Sequence, residues 1–238
     1  NDMKSRFVAM ASHEFRTPLS TILSSASLLS KYTTAEDQPK RDKHVQRIKS
    51  AVHNLTGILN EFLSVGRMED GGLVAHPRAF DVEELLVGVC AEMRDIAKAG
   101  QKISCSHAGA PTAWLDSELL RNVMINLLAN AIKFSREGKR IDVESLLRES
   151  GRLEISIADE GMGIPAADQE HLFERFFRAD NATNIQGTGL GLHIVSKYME
   201  LMGGVLTYTS ELGKGTKFML IFNQAGVPVQ DSDDRQTR

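Results

Sequence analysis

Cysteine is nearly missing from this chain, whose 238 residues hold only Cys90 and Cys105. Neither has partners at a metal-type spacing, and one pair makes no disulfide framework, so a zinc site is excluded and a reducing compartment is expected. A basic excess is missing too: 28 Lys and Arg face 31 Asp and Glu, for a net charge of -3. That balance leaves no footprint for a nucleic-acid partner. No apolar run approaches the ~20 residues needed to cross a bilayer, and no signal peptide opens the chain. Because it starts at Asn1 rather than Met, the chain reads as a cytoplasmic piece of a longer parent, whose membrane anchoring is left open.

What is present is the balance of a soluble protein, with 42% hydrophobic and 25% charged residues, in a length that suits two domains. Val8, Ser12, Phe15, Leu19, Ile22, Ala26 and Leu29 follow a heptad spacing. After the polar stretch "YTTAEDQPK", Ile48, Val52, Leu55, Leu59 and Phe62 repeat it. Two such helices joined by a short loop are too thin to bury both apolar stripes alone. The expectation is therefore a homodimer, its two hairpins forming a four-helix bundle over residues 1–68. His13 falls one position past a seam residue, on the bundle's flank, and Pro18 is expected to bend the helix. On its own, such a histidine is an ordinary surface residue.

Glycines and a proline in 69–80 read as a linker, and residues 81–224 mix helix with strand. Asp81 is placed to cap a helix running to about Lys98, with Gly100 ending it, and a long helix starts at Asp116. Short strands are expected near 102–106 and 112–115, alternating pairs over 140–159 and 204–222, and a helix from about Leu190 to Met202. The whole is an α+β chain, the helical hairpin followed by an α/β sandwich with a mostly antiparallel sheet. The tail at 225–238 has the composition of a disordered segment.

Three stretches carry chemistry. In "DSELLRNVMINLLANAIKFS", Asn126, Asn130 and Lys133 recur at i, i+4 and i+7 as a polar stripe on an apolar helix, offering carbonyl oxygens to a hard cation and an ammonium to phosphate. "DEGMGIP" sets Asp159 at a strand end before Gly161 and Gly163, where backbone can approach a ligand closely. "GTGLGL" (Gly187, Thr188, Gly189, Leu190, Gly191, Leu192) places three alternating glycines before a helix, exposing N–H groups to phosphate. Taken singly, each is more often a solvated face or an ordinary turn. No GxxxxGK[ST] occurs and "GTGLGL" is not GxGxxG, which excludes a Walker loop and a Rossmann fingerprint.

The order of the motifs discriminates further. The asparagine helix, DxGxG, the aromatic stretch with Arg175 and Arg178, GxGLGL and "GKGT" at 213–216 resemble the N, G1, F, G2 and G3 boxes of the GHKL (Bergerat) ATPases. With "SHEFRTPLS" as an H box upstream, residues 1 to about 223 resemble the catalytic core of a sensor histidine kinase. The resemblance implies ATP and Mg²⁺ as cofactors. It makes His13 the phospho-acceptor, Glu14 its proton acceptor, and Thr17 the residue that positions water in a phosphatase reaction. Asn130 becomes the metal ligand, with Asn126 and Lys133 near the phosphates, Asp159 and Thr216 at the adenine, and Arg175 and Arg178 approaching the γ-phosphate. The partners implied are a second copy of the chain, a response-regulator receiver domain and an upstream sensor domain, with no nucleic acid. A phosphotransfer or phosphatase scaffold without ATP turnover is the competing expectation.

Overall fold

The computed structural model describes residues 2–69, 72–185 and 187–224. Two compact units emerge, one of Asn1–Leu73 with Phe173–Ile194, the other of Val74–Leu172 with Val195–Arg238.

The first unit is built on two long helices, α1 (Asp2–Leu29) and α2 (Gln38–Glu69). Phe15 meets the Phe62 ring at 5.9 Å and Tyr32 stacks on His44 at 5.7 Å. Partners that approach each other in number toward the loop require an antiparallel pair. Arg41 fastens the loop by donating to the carbonyls of Tyr32 (2.9 Å) and Thr34 (2.7 Å). Pro18 lies inside α1, which continues through it.

The single seam expected on α2 is in fact two. Ala51, Ile58, Phe62 and Val65 are buried within the hairpin, whereas Val45, Val52, Leu59 and Leu63 are exposed, as are Leu19 and Leu23 of α1. Heptad spacing alone does not separate them, because adjacent stripes on one helix share the same period.

In the second unit β1 (Arg78–Asp81) pairs antiparallel with β3 (Thr112–Leu115). The expected linker is therefore partly strand. Its approach is fixed by the His76 N–H donating to Asp116 at 2.8 Å and Arg78 donating to the Ser117 hydroxyl at 2.9 Å. The main sheet combines β2 (Lys102–Gly109), β4 (Arg140–Leu147), β5 (Arg152–Asp159), β6 (Val205–Glu211) and β7 (Gly215–Asn223) in the order β2-β4-β5-β7-β6. Among the described residues, β2–β4 is the one parallel pairing.

Asp81 caps α3 (Val82–Arg94) by accepting from the Glu84 N–H at 2.8 Å. The helix stops at Arg94, short of Lys98, where the Asp95 and Ile96 N–H groups turn back onto the Glu92 and Met93 carbonyls. Asp116 caps α4 (Ser117–Phe134), and α4 buries Leu120, Val123, Met124, Leu127 and Leu128. Against them lies the inward face of the sheet, Ile141, Val143, Ile155 and Ile157 among its residues. α5 (Gly191–Leu201) begins one residue inside the expected start and ends one before the expected end. The tail expected to be disordered lies outside the described residues.

Candidate functional site

Burial of the apolar face of α4 leaves Asn126, Asn130 and Lys133 half-buried on its other side. The Asn126 amide donates one hydrogen to the Asn122 carbonyl at 2.9 Å, which leaves its carbonyl oxygen out of that bond. Among the described residues no hydrogen bond engages the Asn130 side chain, so its oxygen suits a hard cation. The Lys133 ammonium lies 4.9 Å from the Phe134 ring centroid. Lys98 holds the end of α4, its ammonium donating to the carbonyls of Lys133 and Ser135 at 2.7 Å each. Gln101 donates to the Ile132 carbonyl at 3.1 Å.

Directly after β5, the chain turns under Asp159. Its Oδ1 accepts from the Gly161 N–H at 2.8 Å and from the Thr216 N–H at 3.4 Å. Both bonds use Oδ1, and among the described residues no hydrogen bond is made to Oδ2. Burial pushes this carboxyl up to about 6, against the opposing pull of those two N–H groups.

Three glycines permit the approach. A Cβ at Gly215 (φ +116) would lie 1.9 Å from the Asp159 carbonyl oxygen, and one at Gly163 (φ +66) 2.0 Å from that of Glu211. A Cβ at Gly161 would stand 2.5 Å from the Asp159 carboxylate. Thr216, buried, shares a 2.8 Å hydrogen bond with the Ser210 hydroxyl, which also accepts from the Ile164 N–H at 2.9 Å. Ser210 was not among the expected residues: it belongs to no motif, and only the pairing of β6 with β7 places it opposite Thr216.

The remaining expected residues belong to the first unit. His13 lies on α1, with its side chain outside the described part. Glu14 is buried and Thr17 exposed, the Thr17 carbonyl accepting from the Thr21 hydroxyl at 3.1 Å. Arg175 donates to His193 Nε2 at 3.0 Å, and His193 Nδ1 lies 3.1 Å from the Phe173 carbonyl. Those partners assign His193 as the neutral tautomer with its proton on Nδ1.

Arg178 turns onto its own loop, donating to the carbonyls of Ala182 (2.9 Å), Thr183 (2.9 Å) and Ile185 (2.5 Å). Such contacts are carbonyl geometry and are invisible in sequence. In "GTGLGL", Gly187, Gly191 and Leu192 are half-buried, Leu190 is fully buried, and the buried Thr188 hydroxyl donates to Glu61 while accepting from the Leu190 N–H at 3.1 Å. Gly189 takes φ +72 and its carbonyl accepts from the N–H of Phe176, which itself stands at φ +65.

No group of three or more His, Cys, Asp or Glu side chains forms a metal cage among the described residues, and no described helix is long and apolar enough to cross a membrane. A cation here would depend on amide and phosphate oxygens.

Two family descriptions match. "His Kinase A (phospho-acceptor) domain" covers residues 3–71, and "Histidine kinase-, DNA gyrase B-, and HSP90-like ATPase" covers 115–226. The sensor protein GacS of Pseudomonas syringae pv. syringae is 37% identical over 92% of this chain and 25% of its own length. The autoinducer 2 sensor kinase/phosphatase LuxQ of Vibrio cholerae serotype O1 is 34% identical over 91% of the chain and 26% of its own length. This chain thus spans about a quarter of those relatives. Among solved structures, full-length ShkA in complex with AMPPNP matches with a TM-score of 0.64 at 32% identity, over 90% of this chain and 44% of that one.

Proposed function

The chain belongs to the sensor histidine kinases, carrying their phospho-acceptor and ATPase domains, and on that premise we propose that it phosphorylates its own His13 from ATP and passes the phosphoryl group to an aspartate of a response regulator. The observation that carries the reading is the Asp159 carboxylate, fixed by two backbone N–H groups through one oxygen and open at the other. That geometry suits the adenine amino group, which offers only donors.

In this reading a neutral His13 imidazole nitrogen attacks the γ-phosphorus. The N–P bond forms as the bond to the β-phosphate oxygen breaks, and ADP departs. Glu14 accepts the proton from the other ring nitrogen. Asn130, helped by Asn126, would hold Mg²⁺, which would supply charge neutralisation for the phosphates. Lys133 steadies the phosphates, Thr216 borders the adenine, and Gly161 and Gly163 keep the backbone near the base. The segment from Gly187 to Leu192 turns N–H groups toward the phosphates. Arg175, oriented by His193, stabilises charge at the γ-phosphate. For Arg178 the contacts with Ala182, Thr183 and Ile185 support a loop-ordering role as well.

The exposed stripe of Val45, Val52 and Leu59 supports the homodimer, since an apolar face of this regularity is stable in water only when covered. A longer parent with an upstream sensor region belongs to the same proposal, supported by the length of the relatives.

Incubation with γ-labelled ATP tests the reading. Acid-labile, base-stable label on the wild type and none on His13→Gln is the expected outcome, with unchanged ATP affinity in the variant. Label retained by His13→Gln removes the acceptor assignment, and nucleotide binding without any label favours the phosphotransfer scaffold.

A further inference from the structure

The fold brings together the chain's two cysteines, which the proposed kinase reaction does not use. Cys90 is fully buried on α3, and Cys105 half-buried on β2. Their side chains lie close enough for each thiol to shift the ionisation of the other. Regular spacing builds the place. Cys90 and Arg94 stand four apart on one face of α3, and Ile103 and Cys105 two apart on one face of β2. The Arg94 guanidinium closes the square by donating twice to the Ile103 carbonyl, at 3.1 and 2.9 Å. It locks helix to strand and sets a permanent positive charge beside both sulfurs.

We propose that Cys90 and Cys105 are a reversible dithiol–disulfide switch, oxidised by peroxide, that staples α3 to the edge strand β2.

The two thiols are unequal in a way that divides the labour. The neighbouring Cys90 and Arg94 bring Cys105 down to about 7, while Cys105 and burial push Cys90 far above the ordinary thiol range. Cys105 is also the more exposed. Its thiolate attacks one peroxide oxygen; an S–O bond forms, the O–O bond breaks, and the leaving hydroxide takes up a proton to become water. The Cys90 sulfur then attacks the Cys105 sulfur of that sulfenic acid. An S–S bond forms as the S–O bond breaks, and the second hydroxide leaves as water with the Cys90 thiol proton. Two thiols lose two electrons, and one peroxide gains them. A dithiol reductant reverses the step by exchange.

The staple closes a loop with a job. Between the cysteines lie Lys98 and Gln101, the residues that bind the carbonyls ending α4, the helix of Asn126 and Asn130. Oxidation fixes both ends of that clamp.

The test uses the reduced full chain treated with hydrogen peroxide, alkylated, digested and mapped by mass spectrometry. A peptide pair joining Cys90 to Cys105, lost on adding dithiothreitol, is expected. Without peroxide, Cys105 should be alkylated about ten times faster than Cys90 at neutral pH. Cys90→Ser should give no joined pair but a dimedone adduct on Cys105, and Cys105→Ser should give neither while still binding ATP, which reports an intact fold. Recovery of both cysteines singly alkylated from peroxide-treated wild type overturns the proposal, as does a product linking Cys105 of two chains. A dimedone adduct on Cys90 in Cys105→Ser overturns the assignment of the attacking thiol.

Discussion

Asp159 and Thr216 are register partners across the β5–β7 ladder, and the Thr216 N–H also reaches back to the Asp159 carboxylate at 3.4 Å. The end of the sheet thereby sets the direction of the carboxylate proposed to meet the adenine. Losing it to Asp159→Asn, whose amide can present a donor to the adenine amine, should weaken ATP binding by about tenfold to a hundredfold. Isothermal titration checks this, and equal dissociation constants would remove Asp159 from the pocket.

The same carboxyl gives a pH dependence of definite sign. Its folded value of about 6 lies above its ordinary 3.8, so ionisation costs the folded state stability. That cost is absent below the ordinary value, grows as pH rises through about 6, and is constant above it. ATP binding runs the other way, because the acceptor must be ionised: affinity should fall as pH drops through about 6. Titrations in steps from about pH 5 to about pH 7.5 should show the fall in wild type and a flatter profile in Asp159→Asn. A parallel fall in both proteins assigns the effect to another group.

Gly215→Ala combines a φ of +116 with a Cβ 1.9 Å from the Asp159 carbonyl oxygen. Backbone must move, and a loss of about 2 kcal/mol or more is expected. Chemical denaturation measures it, and ATP affinity should fall as well, since the displaced atom belongs to Asp159. Gly213→Ala, at φ +81 with nothing within 4 Å, should cost less.

Val52→Glu with Leu59→Glu puts two charges on the exposed stripe of α2. Light scattering after size exclusion should shift from dimer to monomer while ATP binding persists. A wild type that is monomeric at every concentration would remove the four-helix bundle.

Thr17 is exposed one turn beyond His13 on α1. If its hydroxyl holds a water for hydrolysis of the regulator's phospho-aspartate, Thr17→Ala should keep autophosphorylation and forward transfer but lose accelerated dephosphorylation. Decay of a phosphorylated regulator with each protein decides it, and equal decay beside an active wild type confines Thr17 to structure.

Much of this was legible where the signal is local. The Ser-Gly turn announced the β4–β5 hairpin, and the apolar period of α4 separated Asn126, Asn130 and Lys133 from its core face. What escaped depends on distant partners. The strand β1 is only four residues long and exists by pairing with β3, some thirty positions on. The parallel match of β2 to β4 leaves no turn signature. Ser210 and His193 matter through the atoms they meet, Thr216 and Arg175, and neither sits in a recognisable motif. The expectation that Arg178 meets phosphate stays a proposal; the three carbonyls its guanidinium also binds have no signature in sequence.

Phe176 and Gly189 both stand in the left-handed region, and a Cβ at Gly189 would lie 2.7 Å from the Phe176 carbonyl carbon. Their N–H to carbonyl bond closes the segment between them at its neck. A loop shut at the neck can vary in its belly: each added residue raises the closure entropy only slowly, by about 0.6 kcal/mol per doubling of length. Residues inserted between Asp180 and Asn184 should therefore leave the entry to α5 undisturbed, whereas any side chain at 189 forces the neck apart.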